Sequence, residues 1–197
     1  MLRRAASALL ALGLVAGLAA CADDPLAERY KEGGNYGFID GDFTVTPIAE
    51  ADRGTPIEFS GTSETGAAVS SADYAGEVLV VNFWYAACGP CRAEAANLEE
   101  VHREFDGDGA SFLGVNIYDQ PETAAAFAKT FDVTYPSLIA IQDAPLKLAF
   151  AEWVPLKAVP VTLVLDRQGR VAARIVSTIE EPSILSTLVR ETLAESS

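Results

Sequence analysis

Val78-Leu79-Val80-Val81-Asn82-Phe83-Trp84-Tyr85-Ala86-Ala87-Cys88-Gly89-Pro90-Cys91-Arg92-Ala93-Glu94 decides the fold of this chain. The run from Val78 to Tyr85, broken only by Asn82, is rich in β-branched and aromatic residues. That predicts a strand buried on both faces. Cys88-Gly89-Pro90-Cys91 follows and opens a helical stretch, Arg92 to Phe105. A strand that stops at a CxxC opening a helix predicts redox chemistry. The first N–H groups of a helix have no partner inside it, and its start is partly positive. A thiolate there is stabilised, so its pKa falls below that of a free cysteine. Cys88 occupies this position and is the expected attacking sulfur. Pro90 fits the first turn, where its missing N–H costs nothing. Cys91, one turn deeper, is the expected resolving sulfur: exposed nucleophile and shielded partner divide the labour.

Two blander readings compete. A purely structural disulfide across so short a loop restrains the unfolded chain little. A closed zinc site wants four ligands, and the chain adds only Cys21 and His102 to the pair. Neither a metal nor any cofactor beyond the Cys88–Cys91 pair itself is expected.

Asn82-Phe83-Trp84, Cys88-Gly89-Pro90-Cys91 and Glu94 resemble the active site of the thioredoxin superfamily. More narrowly, they resemble the membrane-associated TlpA/ResA-like thiol-disulfide oxidoreductases. Thioredoxins proper carry a buried Asp where Asn82 stands. The TlpA/ResA-like family often supplies a Glu three residues after the second cysteine, and Glu94 is there. The resemblance covers roughly Phe43 to the C-terminus. It implies a thioredoxin-like α/β fold, with a mixed central sheet flanked by helices and an N-terminal β-hairpin extension. It also places Trp84 among the residues that meet substrate.

Glu94 lies on the helix near Cys91. A carboxyl beside two sulfurs disfavours a second negative charge and can pass a proton to the leaving sulfur. The alternative is a first-turn Glu that only complements the helix dipole. Arg92 is either a thiolate-stabilising charge or a solvated one. His102 reads as surface or packing. Cys91, Ala95, Leu98 and Phe105 form the expected buried stripe.

Ala158-Val159-Pro160-Val161-Thr162-Leu163-Val164-Leu165-Asp166 is the second informative stretch. A proline entering a buried strand removes a ladder donor. In the family this position is a cis-proline facing the CxxC. The residue before it offers backbone hydrogen bonds to an extended client, a form of strand addition. The resemblance therefore assigns Val159 and Pro160 to substrate binding; the alternative is a trans proline starting an edge strand.

Elsewhere the pattern predicts short strands at Phe43–Ile48 and Pro56–Phe59, with a turn at Gly61–Gly66. Ser111–Ile117 reads as a strand, Pro121–Phe131 as a helix, and Leu138–Ile141 as a strand. Asp143–Glu152 reads as a helix, with Trp153 after it either over the active site or in the core or a loop. Asp166–Gly169 is a hairpin turn into a strand over Arg170–Val176. Pro182–Leu193 is the closing helix.

The N-terminus has the order of a secretory signal. Arg3 and Arg4 precede an uncharged run, Ala5–Ala20, shorter than the roughly 20 residues a spanning helix needs. Leu18-Ala19-Ala20-Cys21 resembles a bacterial lipoprotein box, which implies cleavage before Cys21 and lipid on its sulfur. The alternatives are an uncleaved anchor or a plain signal with a chance cysteine. Residues 1–20 are thus expected as signal, 21–42 as a lipidated tether, and 43–197 as the thioredoxin-like domain. The exported side is where disulfides persist. Lys+Arg 14 against Asp+Glu 28 gives a net charge of −14 in 197 residues. So acidic a chain excludes nucleic acid as a partner.

Three functions follow. The first is a reductant of exported disulfide proteins, lipid-anchored on the outer face of the cytoplasmic membrane. In the resembled family its client is often apocytochrome c, and its electrons come from a membrane thiol relay. The second is a disulfide-donating oxidant. The third is a non-catalytic binding lipoprotein with a passive disulfide, or a copper chaperone, although such chaperones use a wider cysteine spacing and a distal histidine.

Overall fold

The computed structural model describes residues 44–155 and 159–195, all within one compact unit, Ile39–Ser197. The expectations for the signal, for Cys21 and for the tether lie outside the described residues. Among those residues no helix is long and apolar enough to cross a membrane.

In chain order the elements are β1 (Thr44–Pro47), β2 (Ser60–Thr62), β3 (Ala68–Ser70), β4 (Val78–Trp84), α1 (Gly89–Phe105), β5 (Ala110–Asn116), α2 (Pro121–Phe131), β6 (Ser137–Ile139), α3 (Ala144–Ala149), β7 (Val161–Leu165), β8 (Val171–Val176) and α4 (Pro182–Leu193). Six strands form one sheet in the order β1-β8-β7-β4-β5-β6. β4, β5 and β6 run parallel, while β7, β8 and β1 join antiparallel. Mixed pairing of this kind, with helices on both faces, is the thioredoxin-like α/β arrangement.

Every residue of β4 is buried, as its unbroken apolar run requires. Alternation then sorts its side chains. Val78 and Val80 join Leu98, Val101 and Phe105 of α1 and Leu185, Leu188 and Val189 of α4 in one core. Phe83 points to the opposite face and meets Phe150, which ends α3, edge-on at 5.0 Å. Phe150 in turn meets Phe59 at 5.3 Å.

The N-terminal hairpin is not where the alternation suggested. β1 is an edge strand of the main sheet, with Val45 opposite Ile175. Pro56–Phe59 forms no strand, although Ile57 and Phe59 are buried. Alternation reports a buried face; a strand also needs a ladder partner, and Ile57 N finds only the Gly169 carbonyl, at 2.9 Å. The hairpin is β2–β3, whose two strands flank and overlap the expected turn Gly61–Gly66. It docks on β6 through Glu64, whose Oε2 accepts from Ser137 N at 2.8 Å. α3 is shorter than Asp143–Glu152. Asp143 caps it by accepting from Leu146 N at 2.9 Å, with Pro145 in the first turn.

Candidate active site

α1 begins where the sequence placed it, with Cys88 as the N-cap and Pro90 in the first turn. Cys88 Sγ accepts a hydrogen bond from Cys91 N at 3.1 Å. The sulfur thus receives one of the N–H groups that the start of a helix leaves unpaired. Cys88 and Cys91 are joined in a disulfide with their Cα atoms 5.2 Å apart. Cys88 was expected to be the exposed member, and here it is not: it is 0 % exposed and Cys91 2 %. The bridge holds Cys88 Sγ over the first helical turn, against Cys91, so this oxidised form lacks the expected asymmetry.

Glu94 is one turn further along α1 and fully buried. Its Oε1 accepts from Asn82 Nδ2 at 2.8 Å, and its Oε2 from Ile179 N at 2.9 Å. Asn82 Nδ2 also donates to Thr162 Oγ1 at 3.1 Å, so the Asn82 amide of β4 links α1 to β7. Burial pushes the Glu94 carboxyl up to about 7, against the opposing pull of the Ile179 and Asn82 bonds. A carboxyl that titrates near neutrality suits proton exchange with a thiol. Tyr135 is pushed up as well, first by its own burial and then by the Glu94 and Glu99 carboxylates.

The Val159–Pro160 peptide bond is cis. β7 lies antiparallel to β4 with Val161 opposite Phe83. Val159 and Pro160 therefore stand where β4 runs out toward Cys88, and both are buried. Trp84, which the resemblance assigned to substrate, is largely buried. It is 5 % exposed, stacks on Phe127 of α2 at 4.3 Å, and donates from Nε1 to Ser137 Oγ at 3.2 Å. Its place in β4 gives it the same facing as Val80 and Asn82, under the helices. Arg92 lies over the Phe131 ring at 5.8 Å, an alternative to thiolate contact that the sequence did not show. Trp153 packs on the Gly54 turn: a Cβ at Gly54 would lie 3.7 Å from its Cζ2.

The packing around Trp84 needs Gly114. A Cβ there would overlap Ser137 Oγ and stand 2.8 Å from Trp84 Nε1. Gly114→Ala is expected to destabilise the fold by about 1–3 kcal/mol through overpacking. A urea titration checks this as a lower midpoint with an unchanged slope. An unchanged midpoint would mean the strands separate at no cost.

Sequence reasoning missed Thr162, Asn116 and Asp119. A lone polar residue inside the apolar run of β7 was the available signal for Thr162. Asn116 and Asp119 straddle the end of β5, where periodicity stops being informative.

Known proteins place this geometry in context. The AhpC/TSA family profile matches residues 54–174. A thiol-disulfide oxidoreductase ResA of Geobacillus kaustophilus is 28 % identical over 142 residues, 72 % of this chain and 79 % of that protein. The thiol:disulfide interchange protein HelX of Rhodobacter capsulatus is 35 % identical over 109 residues, 55 % of this chain and 57 % of that protein. The crystal structure of a secreted thiol-disulfide isomerase from Corynebacterium glutamicum superposes with a TM-score of 0.70 at 28 % identity, covering 83 % of this chain and all of that one. A CxxC disulfide at a helix start, on this sheet and among these relatives, leads to one conclusion: the chain belongs to the AhpC/TSA family, as a TlpA/ResA-like thiol-disulfide oxidoreductase of the thioredoxin superfamily.

Proposed function

We propose that this oxidoreductase works outside the cytoplasm as a reductant of exported proteins, tethered to the membrane through lipid on Cys21. The observation that carries the reading is Cys88 Sγ at the helix N-cap, receiving Cys91 N–H, with buried Glu94 one turn below. In the reduced enzyme the Cys88 thiolate attacks a client disulfide. A Cys88–client S–S bond forms, and one client thiolate leaves. The Cys91 thiol gives its proton to Glu94 and attacks Cys88 Sγ. The Cys88–Cys91 bond forms and the second client thiolate leaves, so two electrons have passed to the client. A membrane dithiol relay restores them. Val159 and Pro160 would hold the client as an added strand. The resemblance to TlpA/ResA-like enzymes implies an apocytochrome c with a CxxCH site as client. An extracytoplasmic place is supported by the secreted Corynebacterium glutamicum protein that this fold matches.

The reduction potential of the pair tests the direction. A value near or below roughly −270 mV supports the reductant, and one near roughly −120 mV supports a disulfide donor. A bridge that resists exchange altogether would indicate a passive binding lipoprotein. For the tether, Cys21→Ser is expected to move the protein from the membrane to the soluble fraction on cell fractionation. Retention would mean another anchor.

A further inference from the structure

Between Trp84, where β4 ends, and Cys88, where α1 begins, the chain passes through Tyr85-Ala86-Ala87. This turn sets where the attacking sulfur sits, and it belongs to no strand or helix. Cys88 N reaches back to the Tyr85 carbonyl at 3.1 Å. Ala86 N ties the turn to the segment after β5 by donating to Asp119 Oδ2 at 2.6 Å. Asp119 is itself fixed. The same Oδ2 accepts from Asn116 Nδ2 at 2.8 Å, and Asp119 N donates to Asn116 Oδ1 at 2.7 Å. Tyr118 N donates to that Asn116 oxygen as well, at 3.2 Å. Asn116 closes β5, is fully buried, and accepts from Ala140 N through its carbonyl at 2.8 Å. Beside it Ile117 N donates to the Trp84 carbonyl at 3.1 Å, and the Tyr118 ring stands edge-on to Tyr85 at 5.1 Å.

We propose that Asp119, held by Asn116, is a positioning residue for Cys88: its carboxylate clamps the Ala86 N–H and fixes the turn that presents the sulfur at the start of α1. This rests on Cys88 being the attacking sulfur. A bond from an N–H to a carboxylate is charge-assisted and roughly twice as strong as a neutral one. A carboxylate near an attacking thiolate also opposes its ionisation. Positioning and charge therefore predict opposite signs when Asp119 is replaced. Asparagine separates them, because a single oxygen takes both bonds and an amide oxygen can do the same.

The test uses the full chain with Cys21→Ser and Cys91→Ala, so that Cys88 is the one thiol. Its rate of attack on the neutral probe 2,2′-dithiodipyridine is followed at pH 7. Asp119→Ala is expected to slow the attack about 10- to 100-fold, the usual penalty for a misplaced reacting group. Asp119→Asn is expected to remain within about twofold of the parent. Asn116→Ala is expected to slow it as Asp119→Ala does, with no further loss in the double variant, since the two act as one unit. Faster attack by both Asp119 variants would show that charge alone operates and overturn the clamp. So would an Asp119→Ala rate equal to the parent's. A parent Cys88 no faster than a free thiol is a different failure, and overturns the order of attack together with the clamp. Because Asn116 is buried, the Asp119 pair decides the matter should Asn116→Ala not fold.

Discussion

Reduced Cys91→Ala enzyme is expected to accumulate disulfide-linked adducts of Cys88 with client proteins, while Cys88→Ala accumulates none. The reason is the order of the two attacks. Cys88 Sγ caps α1 and receives the Cys91 N–H, so its anion is the one the helix start favours. In the proposed mechanism the mixed disulfide is short-lived, because Cys91 lies one turn away and attacks within the same molecule. Such an arrangement corresponds to effective concentrations far above any free thiol. Removing Cys91 leaves the first step intact and deletes the second, so the intermediate persists until an outside thiol cleaves it. Non-reducing gels followed by mass spectrometry read the result, and the trapped proteins name the clients. Equal trapping by the two variants would contradict the assigned order.

The second large effect concerns Glu94. Its carboxyl is held up to about 7, mainly by burial, against an ordinary 4.5. Between those two values the native state keeps the proton that the unfolded chain has released. The folded form therefore binds more protons, and stability falls as pH rises across this window. The loss is on the order of 3 kcal/mol once pH exceeds the folded value. Glu94→Gln removes this slope, so the difference between pH 5 and pH 8 in denaturant unfolding is expected to shrink by about that amount. A variant with the same slope as the parent would assign the titration elsewhere. Glutamine also has a single acceptor oxygen for the two donors, Asn82 Nδ2 and Ile179 N. One of them loses its partner unless Asn82 turns its amide, so an offset of about 1–3 kcal/mol at all pH values accompanies the flattened slope. In the reduced enzyme the same change removes a negative neighbour from Cys91. Its thiol titration then moves to lower pH while resolution of the mixed disulfide slows. An unchanged thiol titration would remove Glu94 from the chemistry.

Elements whose cause is local are legible in the sequence. Pro121 and Pro182 mark the first turns of α2 and α4, and both helices run as the sequence placed them. A proline at that position loses no hydrogen bond and presets φ, so the boundary is visible without knowing the rest of the molecule. The CxxC at the start of α1 belongs to the same kind. Pairing partners are not legible in this way. Ile57 and Phe59 alternate as a strand would and are buried, yet they pair with no strand. The hairpin formed instead at Ser60–Thr62 and Ala68–Ser70, where Glu64 can reach Ser137. The resemblance assigned Trp84 to substrate. Parity along β4 decides its packing, since it faces the same way as Val80 and Asn82 and lies against Phe127 of α2.

By itself the sequence determined that a buried strand delivers a cysteine to a helix start, and that an acid sits one turn beyond the second sulfur. Both follow from spacing along one continuous stretch, and spacing survives in any fold. Only the tertiary structure decided what touches those groups. Asn82, which donates to Glu94, also reaches Thr162 because β7 lies beside β4, and Asp119 reaches Ala86 across 33 residues because β5 ends next to β4. A hydrogen bond demands its two atoms within about 3 Å, and that proximity is created by strand order, which no local run of residues encodes.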